Sequence, residues 1–243
     1  MQLEFICRHL RRIQEWLVGK KVDAPRRLES FDVGFHGDHY LMSLVSHCLA
    51  SVEQFIETGA NVGTTLHYVA KMFPAIPAYS CEPSTTAFRV AQERIKNLPN
   101  CRFFNVASPE IFEILTRLDT GIFERDTLFW LDAHGYGYEW PLRDEVAIIT
   151  RRFRRGYLLI DDFKVPEMPC FAYESYAGQE CSFDYIRSAI NPELRYSLYY
   201  PCHRDRTSSH HPLTGWGLID FGHDIPLALP QELSGKIRMV SPS

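Results

Sequence analysis

The stretch at residues 53–65 constrains the fold more than any other part of the chain. It reads Glu-Gln-Phe-Ile-Glu-Thr-Gly-Ala-Asn-Val-Gly-Thr-Thr: an apolar strand ending in a carboxylate, then a glycine-containing turn, then the start of a helix. Because glycine has no Cβ, Gly59 and Gly63 allow a sharp turn and a close approach of the backbone to a ligand. This order is typical of a nucleotide-type site at the carboxyl edge of a parallel sheet.

Glu57, the last residue of this strand, restricts the kind of ligand. Its carboxylate stands where a dinucleotide pyrophosphate would otherwise bind, so the ligand should be neutral or cationic at that point. The nicotinamide fingerprint G-x-G-x-x-G is absent here. A glycine-rich turn without any ligand is the alternative interpretation.

The order of strand, glycine turn and helix is followed by further alternation of strands and helices, which predicts an α/β fold with a mostly parallel sheet and helices on both faces. The predicted parallel strands are 53–57, 78–81, 102–106, 127–131 and 157–160. Two later strands are predicted at 196–200 and 217–221.

The sequence predicts a single domain with additions at both ends. Residues 3–18 place apolar side chains on one face of a helix, which we expect to pack on its own domain, with a homodimer contact as the alternative. After a loop at 22–37, Asp38 is expected to cap a second helix. The predicted parts are a helical cap at 1–50, a ligand-binding core at 51–165, and lid loops with the final strands at 166–243.

Composition excludes several partners. A net charge of −4 gives no general attraction to nucleic acid. No run of about 18 apolar residues exists, so no membrane span is expected. The seven cysteines are scattered without a C-x-x-C pair, which indicates reduced thiols and a cytoplasmic location.

The motif Glu57-x-Gly59-x-x-x-Gly63 resembles the first motif of class I S-adenosylmethionine-dependent methyltransferases. The resemblance implies a Rossmann-like methyltransferase fold, in which strands 196–200 and 217–221 would complete a seven-stranded sheet with an antiparallel edge. It implies a cofactor with a cationic methionine end and no phosphate. It also implies cofactor contacts from Glu57, Gly59, Asn61, Gly63, Thr64, Glu82, Ser108 and Asp132.

Glu82 follows the second predicted strand. An acid about 20 residues beyond the glycines is placed to accept hydrogen bonds from a ribose diol. By the resemblance, Glu82 would hold the adenosine ribose of the cofactor. The alternative is a carboxylate that only stabilises the start of the next helix. Ser108 is expected to cap the helix that begins at Pro109.

Three carboxylates, those of Asp132, Asp161 and Asp162, follow two apolar strands that should be neighbours or near-neighbours in the sheet. Neighbouring strands lie about 4.8 Å apart, so these groups can converge. A divalent cation would hold such close acids in their ionised form, and oxygen ligands favour Mg²⁺. A solvated turn at Asp161 and Asp162 is the alternative.

The same residues resemble those of metal-dependent O-methyltransferases, both the catechol type and the macrocin and novobiocin sugar type. Leu131-Asp132 and Ile160-Asp161-Asp162 match their strand-end acids, whereas His134 stands where the sugar enzymes tend to have another acid. His134 is the preferred catalytic base because its unperturbed pKa lies near physiological pH. Asp132 is the alternative base, and His134 could instead be a capping or core residue.

The predicted function is therefore methyl transfer from S-adenosylmethionine to a hydroxyl of a small-molecule acceptor such as a sugar, a phenol or a natural product, assisted by Mg²⁺. A metal-independent methyltransferase and a non-catalytic S-adenosylmethionine- or nucleotide-binding module are the alternatives. Residues 163–182 are expected to form a loop over the acceptor pocket. The loop at 203–212 is interpreted as a solvated hairpin loop, with a lid as the alternative.

Overall fold

The structure of the chain is a computed structural model that describes residues 33–133, 140–176, 178–205, 209 and 213–240. The helix predicted at 3–18 and the candidate base His134 lie outside the described residues, as does part of the loop predicted at 203–212.

A mixed sheet of eight strands forms the centre of the fold. The strands are β1 (Gln54–Thr58), β2 (Ala78–Cys81), β3 (Cys101–Phe104), β4 (Thr127–Leu131), β5 (Gly156–Ile160), β8 (Tyr196–Pro201), β9 (Gly217–Phe221) and β10 (Ile237–Val240). Their order is β10-β8-β9-β5-β4-β1-β2-β3. The run from β5 to β3 is parallel, and β9, β8 and β10 pair antiparallel. Two further strands, β6 (Ser175–Tyr176) and β7 (Gln179–Glu180), form a separate hairpin.

The strand β10 corrects the predicted strand count of seven. It pairs with β8 through the register Val240 to Leu198 and lies at the edge of the sheet. Met239 is 54% exposed and Ile237 is 4% exposed, so the segment is only partly covered, as is usual for an edge strand. At four residues it is too short for a distinctive pattern in the sequence.

Six α-helices accompany the sheet within the described residues: α1 (His39–Leu49), α2 (Thr64–Met72), α3 (Thr85–Ile95), α4 (Ser108–Leu118), α5 (Leu142–Arg152) and α6 (Phe183–Ile186). The predicted cap of α1 is confirmed, because Asp38 Oδ1 accepts hydrogen bonds from the backbone N–H groups of Tyr40 and Leu41. None of the described helices combines the length and the apolar character that a membrane span requires.

Helices cover both faces of the sheet, as predicted. Successive residues of a strand point to opposite faces, so Leu128 and Trp130 of β4 join one apolar cluster and Phe129 joins the other. The helices α1 and α2 pack in the first cluster, and α4 and α5 pack in the second. With both faces covered, the edge at which the parallel strands end is where a ligand site can form.

Candidate active site

The turn after β1 lies directly against the chain that leaves β4. Gly59 has a φ of +77°, and a Cβ there would lie only 2.5 Å from the backbone oxygen of Asp132. No side chain fits at that distance, so glycine is required for two reasons, the left-handed backbone and the contact. The glycine turn and the acid that follows β4 therefore form one continuous surface.

The other end of the turn is shaped by helix packing. Gly63 has a φ of +76°, and a Cβ there would lie 2.8 Å from the Cβ of Ala91 in α3. Gly63 thus allows α2 to pack closely on α3. Asn61 also has a positive φ, +51°, which Asn tolerates better than most residues. Thr64 is the first residue of α2.

Glu82 ties the turn to the start of α3. One carboxylate oxygen accepts a hydrogen bond of 2.8 Å from the N–H of Asn61, and the other accepts one of 2.8 Å from the N–H of Ser84. The residue is 8% exposed, and burial raises the pKa of its carboxyl group. Each carboxylate oxygen has a second lone pair, so both bonds leave capacity for a ligand hydroxyl.

Glu57 is a deeply buried acid at this edge of the parallel strands. It is 2% exposed and accepts a 2.6 Å hydrogen bond from the hydroxyl of Ser80. Burial raises the pKa of its carboxyl group to about 7, and the charge of Glu82 contributes in the same direction. A cationic ligand group beside Glu57 would favour its ionised form.

Ser108 does not cap α4, which corrects the prediction. The N-cap position belongs to Ala107, and the Ser108 hydroxyl donates instead to the carboxylate of Glu145 in α5. Glu145 is fully buried, and this burial raises the pKa of its carboxyl group to about 7. A buried acid needs a partner, and the hydroxyl of Ser108 supplies one.

The structure brings the three predicted metal ligands together. The last residues of β4 and β5, Leu131 and Ile160, are paired, so Asp132 and Asp161 leave the sheet side by side. Each of Asp132, Asp161 and Asp162 offers a ligand atom, and these atoms lie within 4.8 Å of one another. Burial, together with the charges of the other two acids, raises the pKa of Asp132 well above its usual value.

One carboxylate oxygen of Asp161 is buried without a partner among the described residues. The residue is 5% exposed, and its Oδ1 atom has no hydrogen-bond partner within the described part of the chain. Leaving such an atom unsatisfied costs about 1–3 kcal/mol, and more when it is charged. A bound cation is one physical way to satisfy it.

His36 is a site residue that the sequence did not predict. Its Nε2 atom lies 2.7 Å from Asp161 Oδ2, and the side chain is 32% exposed. The negative charge of Asp161 raises the pKa of His36 to about 9. The residue lies in the stretch predicted only as a loop, and the one signal in the sequence was its position between Gly34 and Gly37 in Gly-Phe-His-Gly.

A cleft opens beside the acid cluster. Its walls include the acids themselves, Trp140, Glu174 and Cys181. The hairpin of β6 and β7 closes one side, where the rings of Tyr176 and Trp140 are 5.1 Å apart. The backbone N–H of Glu174 donates to the carbonyl of Asp162, which anchors the segment leading into that hairpin.

His203 contradicts the prediction of a solvated loop at its own position. It is 4% exposed, and its ring lies 4.5 Å from that of Tyr40 and 5.3 Å from that of Phe171. Neither ring nitrogen has a hydrogen-bond partner among the residues described. Burial lowers the pKa of this histidine, so it is neutral at physiological pH.

No family model and no curated protein sequence matches the chain. Solved structures resemble it at low sequence identity. The O-methyltransferase from Bacillus cereus in complex with S-adenosylhomocysteine is 14% identical, with a TM-score of 0.51 over 90% of each chain. The plantazolicin methyltransferase BamL is 11% identical, with a TM-score of 0.52 over 82% of this chain and 92% of that one.

A third solved structure also resembles the chain over most of its length at low sequence identity. The O-methyltransferase TomG from Streptomyces achromogenes, involved in tomaymycin synthesis and solved with S-adenosylmethionine, is 15% identical, with a TM-score of 0.50 over 87% of this chain and 95% of that one. The fold is that of class I methyltransferases. At these identities the similarity establishes the methyltransferase fold and leaves the chemistry to the residues of this chain.

Proposed function

We propose that this chain is an S-adenosylmethionine-dependent methyltransferase that transfers a methyl group to a hydroxyl of a small molecule with the help of a divalent cation. One observation carries the proposal. The glycine turn and the acid cluster meet at Asp132, whose backbone leaves no room for a Cβ on Gly59. A cofactor on the turn and an acceptor at the acids would therefore lie next to each other.

The residues at the turn fit this cofactor. Gly59 and Gly63 carry no side chain, so the backbone of the turn can approach a ligand closely. Glu82 retains lone pairs for a ribose diol, and the carboxyl of Glu57 suits a cationic group better than a phosphate. S-adenosylmethionine would supply the electrophilic methyl group here. Thr64 and Ser108 remain predicted contacts at the starts of α2 and α4.

The acid cluster fits a divalent cation. The buried Oδ1 of Asp161 has no partner in the described structure, and Asp132 and Asp162 offer further carboxylate oxygens close by. A cation bound there would lower the pKa of an acceptor hydroxyl. The cleft lined by Trp140 and Glu174 would hold the acceptor and limit the access of water.

Removal of the hydroxyl proton requires a base near the acids. We keep His134 and Asp132 as the two candidates. Asp132 lies within the cluster, beside the place where an acceptor hydroxyl would meet the cation. With the alkoxide and the methyl group held in line, most of the rate enhancement would come from positioning.

A metal-independent methyltransferase is a second candidate, and the pair of His36 and Asp161 favours it. A histidine nitrogen 2.7 Å from the carboxylate can offset part of the negative charge of the cluster. In that case the aspartates would position the acceptor by hydrogen bonds alone.

Calorimetric titration of S-adenosylmethionine and S-adenosylhomocysteine, with a divalent cation and then with a chelator, tests the function. We expect one saturable site per chain. Glu82→Ala should weaken cofactor binding at least about tenfold, because two or more hydrogen bonds would be lost. Asp161→Asn should retain cofactor binding and lose cation binding. Absence of binding by the wild-type chain under both conditions would refute the proposal.

A further inference from the structure

His36 is carried by an unusual backbone turn. Phe35 and His36 have φ values of +55° and +56°, and Gly37 follows with +65°. Consecutive left-handed residues that carry side chains are uncommon, because the Cβ approaches the neighbouring carbonyl. Such conformations persist only where the surrounding structure enforces them, and they concentrate at functional sites.

Packing holds this turn in place. Phe35 is 1% exposed, and its ring lies 5.0 Å from that of Trp130, two residues before Asp132. On the other side, Gly34 lies so close to α2 that a Cβ there would be 3.2 Å from the Cα of Thr65. The turn is therefore fixed to both β4 and α2, and it presents His36 to Asp161.

The distance between the two side chains suits a shared cation. Two ligands at right angles on a cation with bonds of about 2.1 Å lie about 3.0 Å apart. His36 Nε2 and Asp161 Oδ2 are 2.7 Å apart, so release of the imidazole proton to solvent and a small movement would let one cation bind both. The buried Oδ1 of Asp161, without a partner in the described chain, independently points to a ligand at this position.

Resting on the cation-assisted function proposed above, we propose that His36 is a fourth ligand of the cation held by Asp132, Asp161 and Asp162. The site would then hold three carboxylates and one imidazole. Magnesium prefers oxygen ligands, whereas imidazole suits transition-metal ions such as Mn²⁺, Fe²⁺, Co²⁺ and Zn²⁺. His36 would thus shift the preference of the site from Mg²⁺ toward these ions.

The ratio of Mn²⁺ affinity to Mg²⁺ affinity, compared between the wild-type chain and variants, tests this role. Tighter binding of Mn²⁺ by the wild-type chain alone would not test it, because most protein sites bind transition metals more tightly than Mg²⁺. Mn²⁺ affinity would be measured by the electron paramagnetic resonance signal of the free ion, and Mg²⁺ affinity by competition. His36→Gly keeps the left-handed turn, since glycine adopts it freely. His36→Asn is a second variant that tolerates the turn. His39→Asn, at an exposed position of the same segment, is the matched control.

We expect the ratio of Mn²⁺ to Mg²⁺ affinity to fall at least about tenfold in His36→Gly and His36→Asn and to stay unchanged in His39→Asn. An unchanged ratio in both His36 variants would overturn the proposal. So would tighter Mn²⁺ binding by those variants, which would mean that His36 competes with the cation as a counter-charge.

Nitrogen coordination gives a second readout that does not depend on activity. Pulsed electron paramagnetic resonance of the Mn²⁺-loaded chain should show coupling to an imidazole nitrogen, and His36→Gly should abolish it. Coupling that survives in His36→Gly and disappears in His134→Asn would assign the nitrogen to His134 and contradict the proposal. Cofactor titration in the presence of a chelator separates the role of His36 from the proposed cofactor site. If the chain binds S-adenosylmethionine but no Mn²⁺, the cofactor site is retained and the proposal that His36 is a cation ligand is refuted.

Discussion

Gly59→Ala perturbs the point where the glycine turn meets the acid cluster. The new Cβ would lie 2.5 Å from the backbone oxygen of Asp132 and 2.7 Å from the Cα of Ala133. Both are backbone atoms, so no flexible side chain can move away. The chain that carries Asp132 must shift instead.

The magnitude follows from two contributions. A left-handed backbone at an alanine costs about 1–2 kcal/mol, and forcing a methyl group into a packed region costs about 1–3 kcal/mol. Gly235→Ala is the matched control, because Gly235 has a φ of +70° and its Cβ would meet no atom within 4 Å. The control should show only the first contribution, so Gly59→Ala should be less stable than Gly235→Ala by about 1–3 kcal/mol.

Urea unfolding of the two variants measures this difference directly. For a chain of this size it corresponds to a melting temperature about 2–12 °C lower in Gly59→Ala than in Gly235→Ala. We also expect Gly59→Ala to weaken both cofactor and cation binding, because Asp132 belongs to both of the proposed sites. Equal stability of the two variants would refute the close contact. Weaker binding of only the cofactor or only the cation by Gly59→Ala would refute this contact as the link between the two sites.

Two further predictions concern buried titratable groups. Burial raises the pKa of Glu145 from 4.5 to about 7, so between these pH values the unfolded state has lost a proton that the folded state keeps. The contribution of Glu145 to the free energy of unfolding should therefore fall as pH rises from about 4.5 to 7. Urea titrations across this range should show that Glu145→Gln changes the pH dependence of the free energy of unfolding by the equivalent of about one proton. An unchanged pH dependence would contradict the raised pKa. His203→Phe should raise the free energy of unfolding by about 1 kcal/mol, because two buried ring nitrogens have no partner among the described residues. A loss of stability in urea unfolding would instead mean that the imidazole is bonded.

The repeating units of strand and helix made the parallel core predictable. The five parallel strands, their helices and the convergence of Asp132, Asp161 and Asp162 all follow from period, glycine spacing and the rule that parallel strands end at one edge. Capping by Asp38 was also predictable, because the cap is local in sequence.

Features that depend on contacts distant in sequence were not predictable. Ser108 looked like a helix cap, yet its hydroxyl bonds to Glu145, 37 residues away. The contact of His36 with Asp161 spans 125 residues and depends on a left-handed turn that sequence propensity disfavours. The burial of His203 results from packing between Tyr40 and Phe171, which no local pattern indicates. In each case tertiary packing decides the position of the side chain.

Nuclear magnetic resonance of S-adenosylmethionine labelled with ¹³C in its transferable methyl group tests whether the proposed cofactor and cation sites adjoin at Asp132. With the chain saturated by the cofactor, added Mn²⁺ should strongly broaden the signal of the bound methyl group, and Asp161→Asn should abolish the broadening while the cofactor stays bound. A bound methyl signal that remains sharp when Mn²⁺ occupies its site would contradict the account.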